Sequence, residues 1–363
     1  MTVSKGSTGS TGSLTNALQQ LVDGRDLSTE TMTACMRQMM AGEASAVQMA
    51  AFLMGLRSKG ESITEIAAAA SVMREFATPV QLELPFLVDM CGTGGDGAHT
   101  FNISTAAMFV VAAAGASVAK HGGRSVSSKS GSADLLEHLG VAISLSAQDT
   151  AQCLKGCGVG FMFAPNHHAA MRHIAPIRKE LGLRTIFNVL GPLTNPAGAR
   201  CQLMGVYQPS LVPVQAEVLK RLCSDHVLVV HAEEGLDELH LVGKTHVAEL
   251  KNGEVHQYTV TAQQFGFPSY SSSEVAQAIR AENLQESASR VAAALTNEPG
   301  PVRDIVAFNA AGWLLASNKA SDWPQAIEMA MRALESGAAG QKLEAFIALS
   351  QSLSKAAEQA AGR

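Results

Sequence analysis

Residues 90–139 constrain the chain most. They read Met-Cys-Gly-Thr-Gly-Gly-Asp-Gly-Ala-His-Thr-Phe-Asn-Ile-Ser-Thr, then an apolar run, then Lys-His-Gly-Gly-Arg-Ser-Val-Ser-Ser-Lys-Ser-Gly-Ser-Ala-Asp. Two loops rich in glycine and hydroxyls flank one short apolar helix. Each loop follows a short apolar segment and leads into a new helix. Such loops offer an anion backbone N–H groups, hydroxyls, cations and a helix N-terminus. Together they can hold a ligand with more than one phosphate.

The flanking sequence places this stretch in an α/β domain preceded by a helical one. Residues 14–78 read as four short helices with short links, a small bundle. Ser28 can cap the second. Ser45-Ala-Val-Gln48 and Ser62-Ile-Thr-Glu65 are capping-box patterns for the third and fourth, and Thr78-Pro79 ends the last. The methionines of this part, such as Met32, Met36, Met39 and Met49, suit core filling. After Pro85 the pattern changes. Strands are expected at 86–90, 117–119, 159–163 and 227–230, and helices at 104–114, 132–139 and 211–222. That alternation argues for a mostly parallel sheet with helices on both faces. Residues 239–260 have short alternating segments broken by Gly243 and Asn252-Gly253, which suggests hairpins at one sheet edge. From Glu274 onward the chain is Ala-rich and helical. The expected division is a flexible 1–13, a helical domain over 14–82, and an α/β domain over 83–363.

Composition narrows the function classes. The chain has 363 residues, 47% hydrophobic and 16% charged, which supplies a core and is too little charge for a disordered chain. A net charge of −5 argues against a uniformly basic nucleic-acid surface. Residues 1–13 lack the apolar core of a signal peptide, and no uninterrupted apolar run reaches the ~18 residues a membrane span requires. Cys35, Cys91, Cys153, Cys157, Cys201 and Cys223 are scattered without a C-x-x-C pair, as free thiols in a reducing cytoplasm would be.

Gly92-Thr-Gly-Gly-Asp-Gly97 formally matches G-x-G-x-x-G, but the match alone is weak. A dinucleotide site needs an acid about 20 residues on, and a P-loop needs Lys-Ser/Thr after the glycines. Neither is present, so the loop is either a tight turn or an anion cradle. Asn102, Ser104 and Thr105 favour the cradle, because such side chains cap a helix and can donate to an anion lodged there. The second loop is more specific. It interleaves Lys120, Arg124 and Lys129 with Ser125, Ser127, Ser128, Ser130 and Ser132, as a phosphate clamp would and a plain solvated loop need not. His121 fits a structural or a catalytic role. His167, His168 and His173 have no partner at zinc-like spacing, and packing or loop roles suit them better.

The two loops and Arg184-Thr-Ile-Phe-Asn-Val-Leu-Gly-Pro-Leu-Thr-Asn-Pro196 together resemble the anthranilate phosphoribosyltransferases, enzymes of tryptophan synthesis, in several long motifs in the same order. The similarity covers roughly residues 14–353. It implies a small helical domain that takes a return segment near 184–196, a large α/β domain, and a homodimer formed through the helical part. It implies that Gly92, Gly95, Asp96, Thr100, Asn102, Ile103, Ser104 and Thr105 hold phosphoribosyl pyrophosphate. Lys120, His121, Gly122, Gly123, Arg124, Ser125, Val126, Ser127, Ser128 and Ser132 would do so from the second loop. Ser104, Asp237 and Glu238 would ligate Mg²⁺, two ions per monomer. Mg²⁺ prefers oxygen ligands and is held by one or two carboxylates plus substrate phosphates.

For the acceptor, the resemblance implies Gly92, Gly123 and Arg178, with the guanidinium forking onto the anthranilate carboxylate. The family often has Asn where this chain has Gly123, so an amide contact is lost there and a backbone contact remains. The aromatic amine has a free lone pair, so no general acid or base is assigned. No nucleic-acid or membrane partner is expected. Two rivals share the fold: a pyrimidine-nucleoside phosphorylase, which needs no acidic pair for magnesium, and a non-catalytic nucleic-acid-binding relative, whose first glycine loop would be eroded.

Overall fold

The computed structural model describes residues 11–124 and 131–361. It divides into two compact units: Met1–Ala77 with His168–Thr194, and Thr78–His167 with Asn195–Arg363.

The first unit is helical. Its helices are α1 (Thr11–Val22), α2 (Thr29–Met40), α3 (Ala46–Lys59) and α4 (Ile63–Glu75). The first begins at Thr11, inside the stretch expected to be flexible, because Leu14, Ala17 and Leu21 are buried and carry the helix with them. Ser28 caps α2 through the Thr31 N–H, and Ser45 and Ser62 form capping boxes with Gln48 and Glu65. Buried Met32, Met36, Met39, Met49 and Met73 fill the core. Glu65, fully buried, fastens two links. It accepts from the Leu27 N–H at 2.9 Å, the Ser62 N–H at 2.7 Å and Lys59 Nζ at 2.9 Å.

The returning stretch is longer than the 184–196 expected. It starts at His168 and carries a 3₁₀ turn, the helix Ala175–Leu181 and a short helix Phe187–Leu190. Arg74 Nε donates to Leu193 O at 2.6 Å and ties α4 to this return. The contact boundary falls at Ala77 rather than 82, since the Thr78 N–H already donates to His167 O of the second unit.

The second unit is built on a seven-stranded sheet. Its strands are β1 (Leu87–Asp89), β2 (Ser117–Gly122), β3 (Val159–Phe163), β4 (Cys201–Gly205), β5 (His226–Ala232), β6 (Thr245–Lys251) and β7 (Glu254–Val260). The order is β3-β2-β1-β4-β5-β6-β7. The first five are parallel, and β6 and β7 form an antiparallel hairpin at the edge. Asn252 (φ 54°) and Gly253 (φ 78°) make its two-residue turn, where positive φ at both positions matches the strand twist.

Every residue of β5 is buried, as expected of a strand covered on both faces. Strand side chains alternate between faces. Val118 and Phe161 enter the main core with the helix Pro301–Ala316, while Ala119 and Met162 join Val80, Ala151 and Leu154 in a second cluster. Between β1 and β2 runs α5 (Ile103–Ala113). After β2 come α6 (Ser132–His138) and α7 (Ala147–Cys157). The chain winds outward from β1 to β3, then returns to lay β4 on the other side of β1. That reversal makes a crevice at the carboxyl ends of β1 and β4, the usual ligand position in such sheets.

All six cysteines are free thiols. No helix among the described residues is long and apolar enough to cross a membrane.

Candidate active site

The glycine loop leaves β1 at the crevice and is stitched to the end of β4. The Thr93 N–H donates to Gly205 O at 2.9 Å, and Thr93 Oγ1 accepts from the Tyr207 N–H at 3.1 Å. Gln202, buried in β4, donates to Cys91 O at 3.0 Å. Gly92 and Gly205 are glycine because the backbones meet here. A Cβ on Gly92 would stand 3.0 Å from Gly205 O, and one on Gly205 would collide with the Asp237 carbonyl.

The loop after β5 brings the acidic pair to the same place. Asp237 Oδ2 accepts the Gly94 N–H at 2.9 Å, and the Asp237 N–H reaches Asp96 Oδ2 at 3.5 Å. Burial and then the charge of Asp96 push the Asp237 carboxyl up to about 7. Glu238 is raised well above the usual carboxylate range, by burial first and by Asp237 next, with Lys120 opposing. A bond from the Ser104 N–H, in the first turn of α5, also favours its ionised form.

Lys120 enters from β2 with its side chain buried. Its Nζ donates to Met90 O at 2.8 Å and to Ser104 Oγ at 3.2 Å. Burial lowers its pKa, and Asp89 and Glu238 are among the groups that hold the charge on it. Asp89 Oδ1 accepts the N–H groups of Met90 at 2.7 Å and His121 at 3.4 Å, so one buried carboxylate starts both loops.

Gathering three carboxylates against their own repulsion, beside a serine hydroxyl, fits a hard, oxygen-seeking cation. Among the described residues no group of three or more His, Cys, Asp or Glu side chains is arranged to hold a metal by itself.

Other expected residues are placed differently. Asn102 is the N-cap of α5 but makes no side-chain cap bond, contrary to expectation. Its Oδ1 accepts from Ser287 Oγ at 2.7 Å instead. The side chains of Ile103 and Thr105 are buried, which leaves the main chain of this first turn to face a ligand. Thr100 bridges Arg280.

Arg124 is not an uncommitted cation. It donates to Asp134 Oδ1 at 2.9 Å and to the Glu137 oxygens at 2.8 and 3.1 Å, and those acids hold its pKa above the ordinary value. The reason is local: α6 presents acids at i and i+3 within its reach. His121 is buried in β2, and a Cβ on Gly122 would collide with Ser132 Oγ, which seats α6 against the strand end. Gly123 has room, since a Cβ there would meet nothing nearer than Ala164 Cβ at 4.0 Å. Ser125, Val126, Ser127, Ser128, Lys129 and Ser130 lie outside the described residues.

Arg178 belongs to the first unit, on the helix Ala175–Leu181. It is half-buried over the Phe187 ring at 5.6 Å, and burial lowers its pKa. No acid pairs with it among the described residues, so the ordinary alternative, a bridge to Glu180, is not formed.

Sequence reasoning missed Asp89, Thr93, Gln202, Gly205 and Ser287. Thr93 sits inside a motif already noted. Asp89, Gln202 and Gly205 lie in strands whose approach to the loop is set by the sheet order, and Ser287 lies on the distant helix Leu284–Leu295.

Comparison with known proteins gives a consistent result. Residues 84–340 match the glycosyl transferase family a/b domain, and residues 15–77 its helical bundle domain. The anthranilate phosphoribosyltransferase of Chromobacterium violaceum is 56% identical over 338 residues, covering 93% of this chain and 98% of its own. A crystal structure of the Thermus thermophilus anthranilate phosphoribosyltransferase aligns with TM-score 0.86 and 41% identity, over 92% of this chain and 99% of that one. The Saccharomyces cerevisiae enzyme, solved in complex with phosphoribosyl pyrophosphate and Mg, aligns with TM-score 0.84 and 28% identity, over 94% and 99%.

Proposed function

Since the chain belongs to the anthranilate phosphoribosyltransferase family, we propose that it transfers the phosphoribosyl group of phosphoribosyl pyrophosphate to the amine of anthranilate. The products are N-(5-phosphoribosyl)anthranilate and pyrophosphate, and the step belongs to tryptophan biosynthesis. The observation that carries the site assignment is the bond from the Gly94 N–H to Asp237 Oδ2, which joins the acidic pair to the glycine loop.

In this reading the glycine loop and the first turn of α5 bind the pyrophosphate side of the donor, with Gly92, Gly95, Asp96, Thr100 and residues 102–105. Lys120 supplies fixed positive charge beside it, and residues 121–128 with Ser132 would contact the donor from the second loop. Ser104, Asp237 and Glu238 would hold Mg²⁺, two ions per monomer. Magnesium held there would supply charge neutralisation for the departing pyrophosphate. Lys120, held rigidly by Met90 and Ser104, adds to that neutralisation without reorganising.

As the bond from the anomeric carbon to pyrophosphate breaks, the anthranilate nitrogen lone pair forms the new C–N bond, and the amine proton passes to solvent. No protein base is needed for a neutral aromatic amine. Arg178 binds the anthranilate carboxylate, and Gly92 and Gly123 contact the acceptor through backbone. Arg178 suits that role because its guanidinium is half-buried and no acid among the described residues pairs with it. Holding amine and sugar carbon in line is the remaining contribution.

The proposal includes a homodimer formed through the helical unit and a cytoplasmic location. Sedimentation of the purified chain tests the first. A monomer at working concentration contradicts it.

A further inference from the structure

The far side of the glycine loop is held by a segment that the chemistry above does not use. The Phe101 N–H donates to Ile279 O at 2.8 Å, and the Ala281 N–H donates to His99 O at 2.9 Å. Thr100 bridges Arg280 in antiparallel register. One residue later these main-chain rungs stop and a side chain takes over. Ser287 Oγ accepts the Asn102 N–H at 3.1 Å and donates to Asn102 Oδ1 at 2.7 Å. Ser287 lies on the helix Leu284–Leu295 and is completely buried.

An asparagine at an N-cap ordinarily turns its oxygen onto an N–H of the first helical turn. Asn102 does not. The Ser287 hydroxyl competes for that oxygen and pins the Asn102 main chain at the same time, two bonds from one buried group. We propose that Ser287 is a positioning residue for the donor substrate. It keeps Asn102 from capping its own helix, and presents the Asn102 amide and the first turn of α5 to phosphoribosyl pyrophosphate. This rests on the donor-site reading of Asn102 given above.

The test compares Ser287→Ala, Asn102→Ala and the double variant by steady-state kinetics, with thermal melts alongside. Losing the hydroxyl is expected to raise KM for phosphoribosyl pyrophosphate about five- to tenfold and to leave KM for anthranilate within about twofold. The double variant is expected to be no worse than Asn102→Ala alone, because Ser287 acts through Asn102. Should Ser287→Ala fail to fold, Ser287→Cys keeps the shape with a weaker bond and is expected to show the same selective rise. If a folded Ser287 variant melts lower but keeps the normal donor KM while Asn102→Ala raises it, the positioning role is overturned. So it is if the two losses add. If Asn102→Ala itself leaves the donor KM unchanged, the placement of Asn102 in the donor site is what fails.

Discussion

Arg178 illustrates how a single side chain separates two readings. An arginine on a helix normally finds an acid; this one lies half-buried over Phe187 without one among the described residues. Arg178→Ala should raise KM for anthranilate tenfold or more, from the loss of roughly 1.5–3 kcal/mol of charge-assisted bonding. Donor KM should stay near normal, and equal loss of both substrates in steady-state kinetics contradicts the role. Asp237 gives a pH prediction. Its carboxyl is raised from 3.8 to about 7, so between those values the folded, cation-free protein binds more protons than the unfolded chain. Stability from this group therefore falls as pH rises through that window. In the cation-free protein the ionised form that a cation needs predominates above that window, so protons compete with the cation below it. The magnesium required for half-maximal rate should rise as pH is lowered from about 8 to about 6. Asp237→Asn should flatten that dependence, and a magnesium requirement unaltered in the variant argues against the acidic pair. At this scale the motif was enough to bring Lys120 and Ser104 together, and their side chains do meet at 3.2 Å. The side chains of Asn102 and Arg124 have partners that the sequence reading did not give them: Ser287, and Asp134 and Glu137 of α6.

Among elements, the helices with local signals were the easiest to foresee. Ser45 and Ser62 determine where α3 and α4 begin, and Ser45→Ala or Ser62→Ala should each cost about 1 kcal/mol in a denaturation experiment. No change in either would mean the caps are fastened elsewhere. Strand β4 and helix α7 are among the elements that went unread. Strand β4, Cys-Gln-Leu-Met-Gly, carries a polar residue at its second position. Gln202 is tolerated there because its amide serves Cys91 O, a contact 111 positions away. Helix α7 buries only small or modest residues, Ala151, Cys153, Leu154 and Cys157 among them, so its apolar stripe is faint, although Ser146 caps it through the Asp149 N–H. Strand β2 runs on to Gly122, beyond the expected Ala119, because pairing with β3 carries it. Lys120 and His121 are therefore strand residues, not loop residues. The β4–β5 side also explains Gly205. Gly205→Ala should displace the loop bearing Asp237 and cut activity sharply, since the new Cβ collides with Asp237 backbone rather than a movable side chain. Normal magnesium response in that variant would contradict this.

For the molecule as a whole, strand–helix alternation was enough to infer a mostly parallel sheet, and the Asn252-Gly253 turn enough to infer its antiparallel edge. The strand order was not accessible, because nothing local says that β4 returns beside β1. That return creates the crevice where the loops after β1, β4 and β5 meet the end of β2, and it brings Asp237 and Glu238 to a glycine loop more than 140 positions earlier. The central claim is that this convergence binds an activated ribose and transfers it to anthranilate. It is tested most directly by following anthranilate fluorescence with the purified protein. The account predicts a steady loss of fluorescence that requires both phosphoribosyl pyrophosphate and magnesium, and that nearly vanishes in Asp237→Asn at low magnesium. Constant fluorescence with folded protein and both present, or phosphate-dependent thymidine cleavage in its place, would contradict it.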